Sequence, residues 1–581
     1  MHLLQVSGSF LSPDSPLGFG ASDFAELALF ALLVAFFQLR PQLEHLIRTL
    51  AGRRWLSAAC IGILPVVLRL MLLPHHPVPS ADVYDEFGHL LAADTLRHFR
   101  LANPPHRFHQ FFETFFVLQQ PTYSSIYPLG QGMALAVGWM LFGLPWAGVV
   151  LSIALFCASC YWMLRGWISP PWALIGGSLS IIEFGPLNQW MNSYWGGAVS
   201  AIAGCLIFGA LPRLVAQWRT RDAILLGAGL GIQLITRPYE SILLVLSVAL
   251  YFTLMLRTAP QWVRLLRTTP VITLAMLPAI ALTLLQNKEV TGKWTTLPYS
   301  LSQYQYGVPM SLTIQPNPVP HLPLTREQEL EYKSQRSFHG EAPDSLEKFF
   351  ARLEYRVRFY RFFFLPPLYL ALLVFLITIR EARFVWVLLA VAVFAAGSNL
   401  FPYFYPRYVA AVTSLFVLVS VVGLERLGSV YVRGWPAGRY AAALILFVCV
   451  ASFAVWCAAH LFENTTSTMA VTQYERWDSI DTHPERRILV RDQLAKAPGR
   501  QLVFVRYWPN HVFQNEWVYN AADLDRARII WARDLGPEQD EMLRRNYPDR
   551  TAWLLEPDAD PPKLTPYETN STPSTQFLDV K

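Results

Sequence analysis

The chain of 581 residues is poor in charged side chains. Asp, Glu, Lys and Arg make up 15% of it and hydrophobic residues 53%, whereas soluble domains carry about 25% charged residues. So few charges exclude an ordinary soluble protein. The chain also lacks segments of about ten residues with alternating polarity, which are typical of membrane β-barrels. The sequence therefore predicts an integral membrane protein that crosses the bilayer with α-helices.

Cysteine is scarce, and basic residues are absent from the start of the first apolar stretch. All six cysteines lie inside predicted spans, so a disulfide framework is not indicated. Cys157 and Cys160 have C-x-x-C spacing, which we interpret as small packing residues of an apolar helix. With no basic n-region and no small-residue cleavage site, the first span is expected to stay in the protein.

Long hydrophobic runs recur from Phe24 to Leu461. A hydrocarbon core about 30 Å thick needs roughly 20 helical residues. Spans are predicted near 24–39, 55–74, 146–164, 171–187, 197–212, 223–236, 241–256, 269–285, 364–379, 384–400, 408–424 and 440–461. The sequence thus predicts an all-α polytopic membrane protein with about 12–13 transmembrane helices.

Arginines predict the orientation of these spans. They concentrate in short loops on one side, which is the cytoplasmic side by the positive-inside rule, and they explain the net charge of +6 without nucleic acid. The outward face then receives residues 80–127, 188–195, 237–240, 287–362, 401–407 and everything after Leu461. The apolar run Leu129–Leu144 is short, and a crossing there would invert all later loops, so we interpret it as interfacial or re-entrant.

The composition changes after Leu461. Three β-rich stretches are predicted as strands, 502–507, 528–534 and 551–557, with a helix at 536–548 before the third. This pattern predicts a small soluble α/β domain with partly parallel strands. No strand is predicted after Pro557, and residues 558–581 are expected to form a loose tail.

Three regions are predicted from these changes in composition. Residues 1–54 hold an extra N-terminal helix and a basic loop, residues 55–461 form the membrane core, and residues 462–581 form the C-terminal domain. The two large outward loops of the core are 80–127 and 287–362.

The first large outward loop carries adjacent carboxylates, Asp85 and Glu86, just past a span. They either take part in chemistry at the membrane surface or cap a surface helix. His89 lies four residues after Asp85 and shares its helical face, as His98 does with Asp94. Either couple can be a carboxylate–imidazole pair, a metal site or an ion pair, and we interpret Asp94 and His98 as an ordinary surface pair.

The stretch Glu183–Gly197 mixes amides, aromatics and glycines where the helical pattern breaks. Its aromatics fit a membrane-interface belt. The same mixture suits a sugar, whose ring stacks on aromatic faces while its hydroxyls bind amides. Asn192, Tyr194 and Trp195 are the candidate sugar-binding residues.

Two arginines lie at outward helix ends, against the charge rule. Arg237 precedes Pro238, which predicts a helix break, and Glu240 follows it closely. Arg407 stands beside Tyr408 in the sequence YPRY. An always-charged guanidinium suits a phosphate, and an internal ion pair is the alternative at both positions.

The stretch YDEFGHLLAADTL, Tyr84–Leu96, resembles the Asp-Glu segment of GT-C membrane glycosyltransferases. The similar branch is the bacterial one that uses polyprenyl-phosphate sugars and includes aminoarabinose transferases and protein O-mannosyltransferases. The resemblance covers about Trp55 to Leu461. The N-terminal span and the C-terminal domain depart from that pattern.

This resemblance implies a sugar donor carried on a polyprenyl phosphate and a glycan, lipid or protein acceptor. Transfer would be inverting, at the outer face of a bacterial cytoplasmic membrane, with the C-terminal domain outside. It implies Asp85 as the general base and Glu86 as a residue that positions the acceptor or holds a divalent cation, Mg²⁺ or Mn²⁺. Arg237, Arg407 or Lys288 would stabilise the leaving phosphate.

Two other functions stay open from the sequence. One is a polytopic transporter or flippase, although no internal repeat is evident. The other is a lipid-linked glycan polymerase or ligase, which would rely on arginines and histidines of the outward loops. Of these two functions and the glycosyltransferase, the glycosyltransferase alone is expected to depend mainly on a carboxylate.

Overall fold

The computed structural model describes residues 21–340, 343–462 and 485–567. The described part is mostly helical. Its α-helices are α1 (Ala21–Gly52), α2 (Arg54–Met71), α3 (Tyr84–Arg97), α4 (Leu129–Phe142), α5 (Pro145–Leu164), α6 (Pro170–Phe184), α7 (Ala198–Gln217), α8 (Thr220–Thr236), α9 (Pro238–Met255), α10 (Ala259–Thr291), α11 (Pro298–Tyr306), α12 (Arg326–His339), α13 (Leu346–Val357), α14 (Leu368–Thr378), α15 (Ala382–Ser398), α16 (Thr413–Gly428), α17 (Ala437–Phe462), α18 (Glu485–Lys496) and α19 (Pro537–Asn546).

Every one of the predicted spans falls on a helix of the structure. Among the described residues, seven helices are long and apolar enough to cross a membrane, and eight if the bent pair Leu346–Phe363 and Leu368–Thr378 is one span. Other predicted spans lie on shorter helices. With 15 residues, α6 is about 22 Å long, which is less than the hydrocarbon thickness. The helix α4, which covers the predicted re-entrant segment, has 14 residues.

Small residues allow the membrane helices to pack closely. A Cβ on Gly138 of α4 would collide with the backbone at Gly148 of α5, and one on Gly423 of α16 would collide with the backbone of Ala371 in α14. Close backbone approach through such residues is typical of membrane helix pairs. The large core that results contains most of the buried apolar side chains between α2 and α17.

The C-terminal region contains a four-stranded sheet with the order β4-β3-β5-β6. Its strands are β3 (Arg500–Val505), β4 (Ile529–Arg533), β5 (Arg550–Glu556) and β6 (Lys563–Pro566), and a small antiparallel pair, β1 (Val117–Leu118) and β2 (Ser124–Ser125), lies in the first large loop. β3 pairs in parallel with both β4 and β5. The α/β prediction is therefore confirmed.

The prediction of no strand after Pro557 was wrong, because β6 pairs antiparallel with β5. This strand is short, lies at a sheet edge and ends at Pro566, and prolines are tolerated at such edges. The composition of β6 therefore does not predict a strand. Residues 568–581 of the predicted tail lie outside the described residues.

The C-terminal sheet packs on the first large loop. One hydrophobic cluster combines Phe111 and Phe112 of this loop with Leu502 and Phe504 of β3. A second cluster joins the first large loop to α11, and it contains Phe116 and Tyr306. Both large loops and the C-terminal sheet therefore take part in shared packed cores.

Asp94 is not the surface residue predicted from its spacing to His98. Its carboxylate is buried and accepts hydrogen bonds from Arg97 Nε at 2.5 Å and from the backbone N–H of Ala522 at 2.7 Å. His98 Nδ1 lies 2.7 Å from the backbone carbonyl of Asp94 and 3.7 Å from its Oδ1. The predicted pair therefore exists, but Asp94 is buried against the C-terminal region while the side chain of His98 stays exposed.

Arg533 at the end of β4 ties the C-terminal region to α12. Its guanidinium contacts Glu327 Oε2 of α12 at 2.5 Å, hydrogen-bonds Glu516 and donates to the carbonyl of Glu113 at 2.6 Å. All three charged side chains of this cluster are almost fully buried. Removing the cation would leave two buried carboxylates unpaired.

We expect Arg533→Ala to destabilise the protein by about 3–5 kcal/mol, because breaking a buried pair leaves uncompensated charge. The thermal midpoint of unfolding of the detergent-solubilised protein measures the change. Arg526→Ala is the matched control, since the Arg526 side chain is 86% exposed. Equal midpoints for the two variants would contradict this role of Arg533.

Candidate active site

A cavity of about 750 Å³ lies between the helix bundle and the two large loops. Membrane helices contribute residues from their ends, and the loops contribute α3, α12 and α13. The lining is rich in aromatic residues: Tyr84, Tyr127, Trp195, Tyr239, Tyr299, Tyr355, Tyr403, Tyr405 and Tyr408. Of the predicted site residues it includes Asp85, His89, Trp195, Arg237, Glu240 and Tyr408.

Asp85 lies in the first turn of α3, where the helix dipole favours a carboxylate. Its Oδ1 accepts a hydrogen bond from the hydroxyl of Tyr127. Burial raises the pKa of Asp85, while Tyr127 and the charges of Arg407 and Arg237 oppose that rise. A carboxylate with a raised pKa is a stronger base than an exposed one.

Glu86 lies outside the cavity lining. Its Oε2 accepts from the backbone N–H groups of Asp82 at 2.9 Å and Val83 at 3.3 Å, and its Oε1 accepts from the N–H of Tyr194 at 2.7 Å. The carboxylate thus caps α3 and binds this helix to the loop before α7. All three bonds are made inside the protein, and the predicted part of Glu86 in acceptor or cation binding stays a prediction.

The amides predicted to bind sugar are used inside the protein. Asn192 donates to the carbonyls of Pro186 and Asn188 at 2.8 and 2.9 Å, and it accepts from Arg69 Nε at 2.7 Å. The hydroxyl of Tyr194 donates to the carbonyl of Pro79 at 2.8 Å. Neither side chain lines the cavity, because both hold the 185–197 loop in its conformation.

Trp195 lines the cavity because the two glycines that follow it adopt unusual backbone angles. Gly196 and Gly197 have φ of +87° and +143°, and a Cβ on them would overlap Gln131 and Trp190 respectively. Only glycine adopts these angles without strain. The conformation places the Trp195 ring 5.1 Å from that of Tyr405, so that an aromatic wall forms.

Arg237 links α8 and α9 at the break that Pro238 predicts. Its Nη1 contacts Glu240 Oε1 at 2.8 Å, and its guanidinium lies 4.8 Å from the centre of the Tyr408 ring. The internal ion pair therefore exists, and both partners also line the cavity. The pair occupies one nitrogen of the guanidinium fork.

Arg407 and Lys288 are not part of the lining. Arg407 is buried in the 3-10 helix Pro406–Val412, with its guanidinium over the Trp195 ring, and its charge acts on Asp85 from behind this ring. Lys288 lies at the end of α10, where its Nζ donates to the carbonyl of Gly292 at 2.9 Å. Of the three predicted phosphate ligands, the structure brings Arg237 alone into the cavity wall.

His89 lies one turn after Asp85 on the same face of α3, as its spacing predicts. Its ring is 4.4 Å from that of Tyr127. Burial and the charges of Arg237 and Arg407 lower the pKa of His89 to about 3. The imidazole is therefore neutral at physiological pH and a weak base.

The structure adds a second acid to the cavity, Glu331, which sequence reasoning missed. Its Oε1 accepts from the hydroxyl of Tyr84 at 3.4 Å and from the amide of Gln335. Burial and the nearby charge of Asp85 raise the pKa of Glu331 to about 7. The available signal was the spacing of Glu327, Glu331 and Gln335, which puts them on one face of α12.

Divalent-cation binding depends on which acidic, His and Cys side chains lie close together. In the described parts of the chain, no group of three or more His, Cys, Asp or Glu side chains lies close enough to hold a metal ion. Asp85 accepts a hydrogen bond from Tyr127, and Glu86 accepts three from backbone amides. Mg²⁺ is usually held by one or two carboxylates together with substrate phosphates, so a divalent cation at this site stays a prediction.

No family model matches the chain, and no curated protein sequence does. Its structure is similar to that of ArnT from Cupriavidus metallidurans bound to undecaprenyl phosphate, with 14% identity and a TM-score of 0.46 over 85% of this chain and 92% of that chain. It is also similar to the oligosaccharyltransferase AglB from Archaeoglobus fulgidus, with 11% identity and a TM-score of 0.38 over 85% of this chain and 68% of that one. At these values, the function of this chain has to be inferred from its own residues.

We expect Glu331→Gln to stabilise the protein at neutral pH. Between the ordinary pKa near 4.5 and about 7, the unfolded chain releases the Glu331 proton and the folded chain retains it, so stability falls as pH rises. Glutamine avoids this loss, which is about 3 kcal/mol above pH 7 and vanishes below pH 4.5.

Thermal midpoints across this pH range measure the effect. Glu329→Gln, on the exposed face of the same helix, is the control and should show no gain. A Glu331→Gln gain that does not change with pH would contradict the raised pKa.

Proposed function

We propose that this protein is an inverting glycosyltransferase of the bacterial cytoplasmic membrane, which moves a sugar from a polyprenyl phosphate to an acceptor at the outer face. One observation carries the proposal: a single cavity at the ends of the membrane helices holds a carboxylate, Asp85, together with a cation, Arg237. The resemblance around Tyr84–Leu96 supports the same function. Its reaction needs a base for the acceptor and a positive charge for the leaving phosphate.

The donor phosphate is expected to bind at Arg237. This side chain comes from the junction of two membrane helices, so a lipid tail can remain among the spans while its phosphate reaches the guanidinium. Arg407 adds positive potential from behind Trp195 without a direct contact. As the bond between the sugar carbon and the phosphate oxygen breaks, the electron pair moves to the phosphate, and these charges stabilise it.

Asp85 is the proposed general base. It takes the proton of an acceptor hydroxyl while the hydroxyl oxygen bonds to the sugar carbon from the side opposite the phosphate. A single displacement of this kind inverts the configuration. His89 shares the same helical face, but its lowered pKa makes it a poor proton acceptor. Burial raises the pKa of Asp85 in the direction that suits a base.

The aromatic lining suits the sugar itself. The neighbouring rings of Trp195 and Tyr405 line the same cavity as the carboxylate and the arginine. Sugar C–H faces stack on such rings, and an oxocarbenium-like transition state is favoured by their negative π-faces. Many hexoses and pentoses fit this description.

We expect Asp85→Asn to reduce sugar transfer by about 100-fold or more, because proton transfer by a positioned base contributes that much. The assay uses the purified protein in nanodiscs with radiolabelled undecaprenyl-phosphate mannose, glucose, galactose or arabinose and an envelope extract as acceptor. Asp82→Asn, at an exposed position of the same segment, is the control. Undiminished transfer by Asp85→Asn, with loss in Arg237→Ala, would favour a glycan polymerase or ligase.

We expect Arg237→Ala to weaken the binding of undecaprenyl phosphate by about 10- to 100-fold, because it removes hydrogen bonds from a charged group to the phosphate. Quenching of tryptophan fluorescence in nanodiscs measures the affinity. Lys288→Ala should leave it unchanged, since Lys288 lies away from the cavity. Equal weakening by both substitutions would contradict a phosphate site at Arg237.

A further inference from the structure

The cavity has two chemically different walls. Arg237, Tyr239 and Tyr408 come from the ends of membrane helices. Glu331 and Gln335 come from α12 in the large loop, and Gln514 comes from the C-terminal region. One wall is cationic and continuous with the lipid-facing bundle. The other is built from extramembrane segments, where α12 contributes the acidic Glu331 and the neutral Gln335. Arg352 and Arg356 of α13 also line the cavity, but their guanidinium groups bind Asp344 and backbone carbonyls of residues 398–402.

Glu331 differs electrostatically from Asp85. Asp85 lies within the influence of Arg237 and Arg407. Among the residues that the structure describes, no lysine or arginine forms an ion pair with Glu331, which accepts hydrogen bonds from the neutral groups of Tyr84 and Gln335. A buried carboxylate with neutral partners is poorly compensated. A ligand that donates a hydrogen bond to the Glu331 carboxylate would compensate its charge.

The position of Glu331 is fixed by the rest of α12. Glu327, one turn earlier, forms the buried ion pair with Arg533. Gln335, one turn later, accepts the backbone N–H of Met310 at 3.1 Å. Gln328 donates to the carbonyl of Thr114 at 3.2 Å. The carboxylate therefore faces the cavity from a helix that is held on several sides, which is how a preorganised binding group is built.

We propose that Glu331 is a specificity-determining residue that accepts a hydrogen bond from a hydroxyl or ammonium group of the acceptor. This inference rests on the proposed function and deepens it. The donor phosphate is repelled by a carboxylate and attracted to Arg237, so we assign the acceptor to the part of the cavity that α12 lines. Acceptors that present an anionic group there are disfavoured, because two like charges in a buried site repel each other.

The Glu331 carboxyl is poised for such a ligand. Burial and the charge of Asp85 raise its pKa to about 7, so its charged form is unfavourable without a partner. A hydroxyl or ammonium donor stabilises the charged form and removes part of that penalty. Glutamine keeps the shape and one acceptor oxygen but loses the charge.

The test is a comparison of Michaelis constants for Glu331→Gln in the nanodisc assay, with the labelled undecaprenyl-phosphate sugar that the wild type consumes. The envelope extract is titrated as acceptor at saturating donor, and the donor is titrated separately. We expect the KM for acceptor to rise about 10- to 100-fold, because a hydrogen bond to a charged group is lost. The KM for donor and the slow hydrolysis of donor by water should not change.

Glu329→Gln is the matched control, because Glu329 lies on the same helix with its side chain 54% exposed. A raised KM for donor would place the contact on the transferred sugar and overturn the inference. A fall in kcat with both Michaelis constants unchanged would also overturn it. Either result, with Asp85→Asn inactive, leaves the proposed function standing. A wild type inactive with every donor of the panel overturns both.

Discussion

The site depends on one buried carboxylate that does not line it. Glu86 accepts hydrogen bonds from three backbone amides, two at the start of α3 and one at Tyr194. Such bonds to a charged, buried group are among the stronger ones in proteins. They bind α3 to the loop that carries Trp195, so Asp85 and the aromatic wall keep a constant separation. Glu86 thereby determines the geometry in which its neighbour can act.

The second constraint is the distribution of buried charge. Ionised side chains are expensive in an apolar interior, so they persist where partners compensate them. Arg407 stacks on Trp195, Arg237 pairs with Glu240, and Arg533 pairs with two carboxylates. Compensation therefore leaves a cavity in which Arg237 lies at the ends of the membrane helices and Glu331 lies on α12 of a large loop. This separation of charge suits a reaction with an anionic leaving group and a protic nucleophile.

Much of the fold was predictable because it depends on local composition. Apolar runs predict the helices, β-branched and aromatic runs predict three of the four C-terminal strands, and the four-residue spacing places Asp85 and His89 on one face. β6 escaped prediction because an edge strand tolerates proline. Asp94 was misread because the segment that buries it lies more than 400 residues later in the chain. Spacing defines a helical face but not what covers it.

The sequence by itself determined that this is a helical membrane protein with an α/β appendage, and that acids and arginines gather at the helix ends near its large loops. Hydrophobicity and period are properties of neighbouring residues, so they can be read directly from the chain. Only the tertiary structure decided which of these charges share a cavity. Glu86 and Asn192 form hydrogen bonds inside the protein, and Lys288 is not part of the cavity lining. Glu331 accepts a hydrogen bond from Tyr84, which lies 247 residues earlier in the chain. Long-range packing decides this, because a charged side chain can be buried only where other segments of the chain supply its partners.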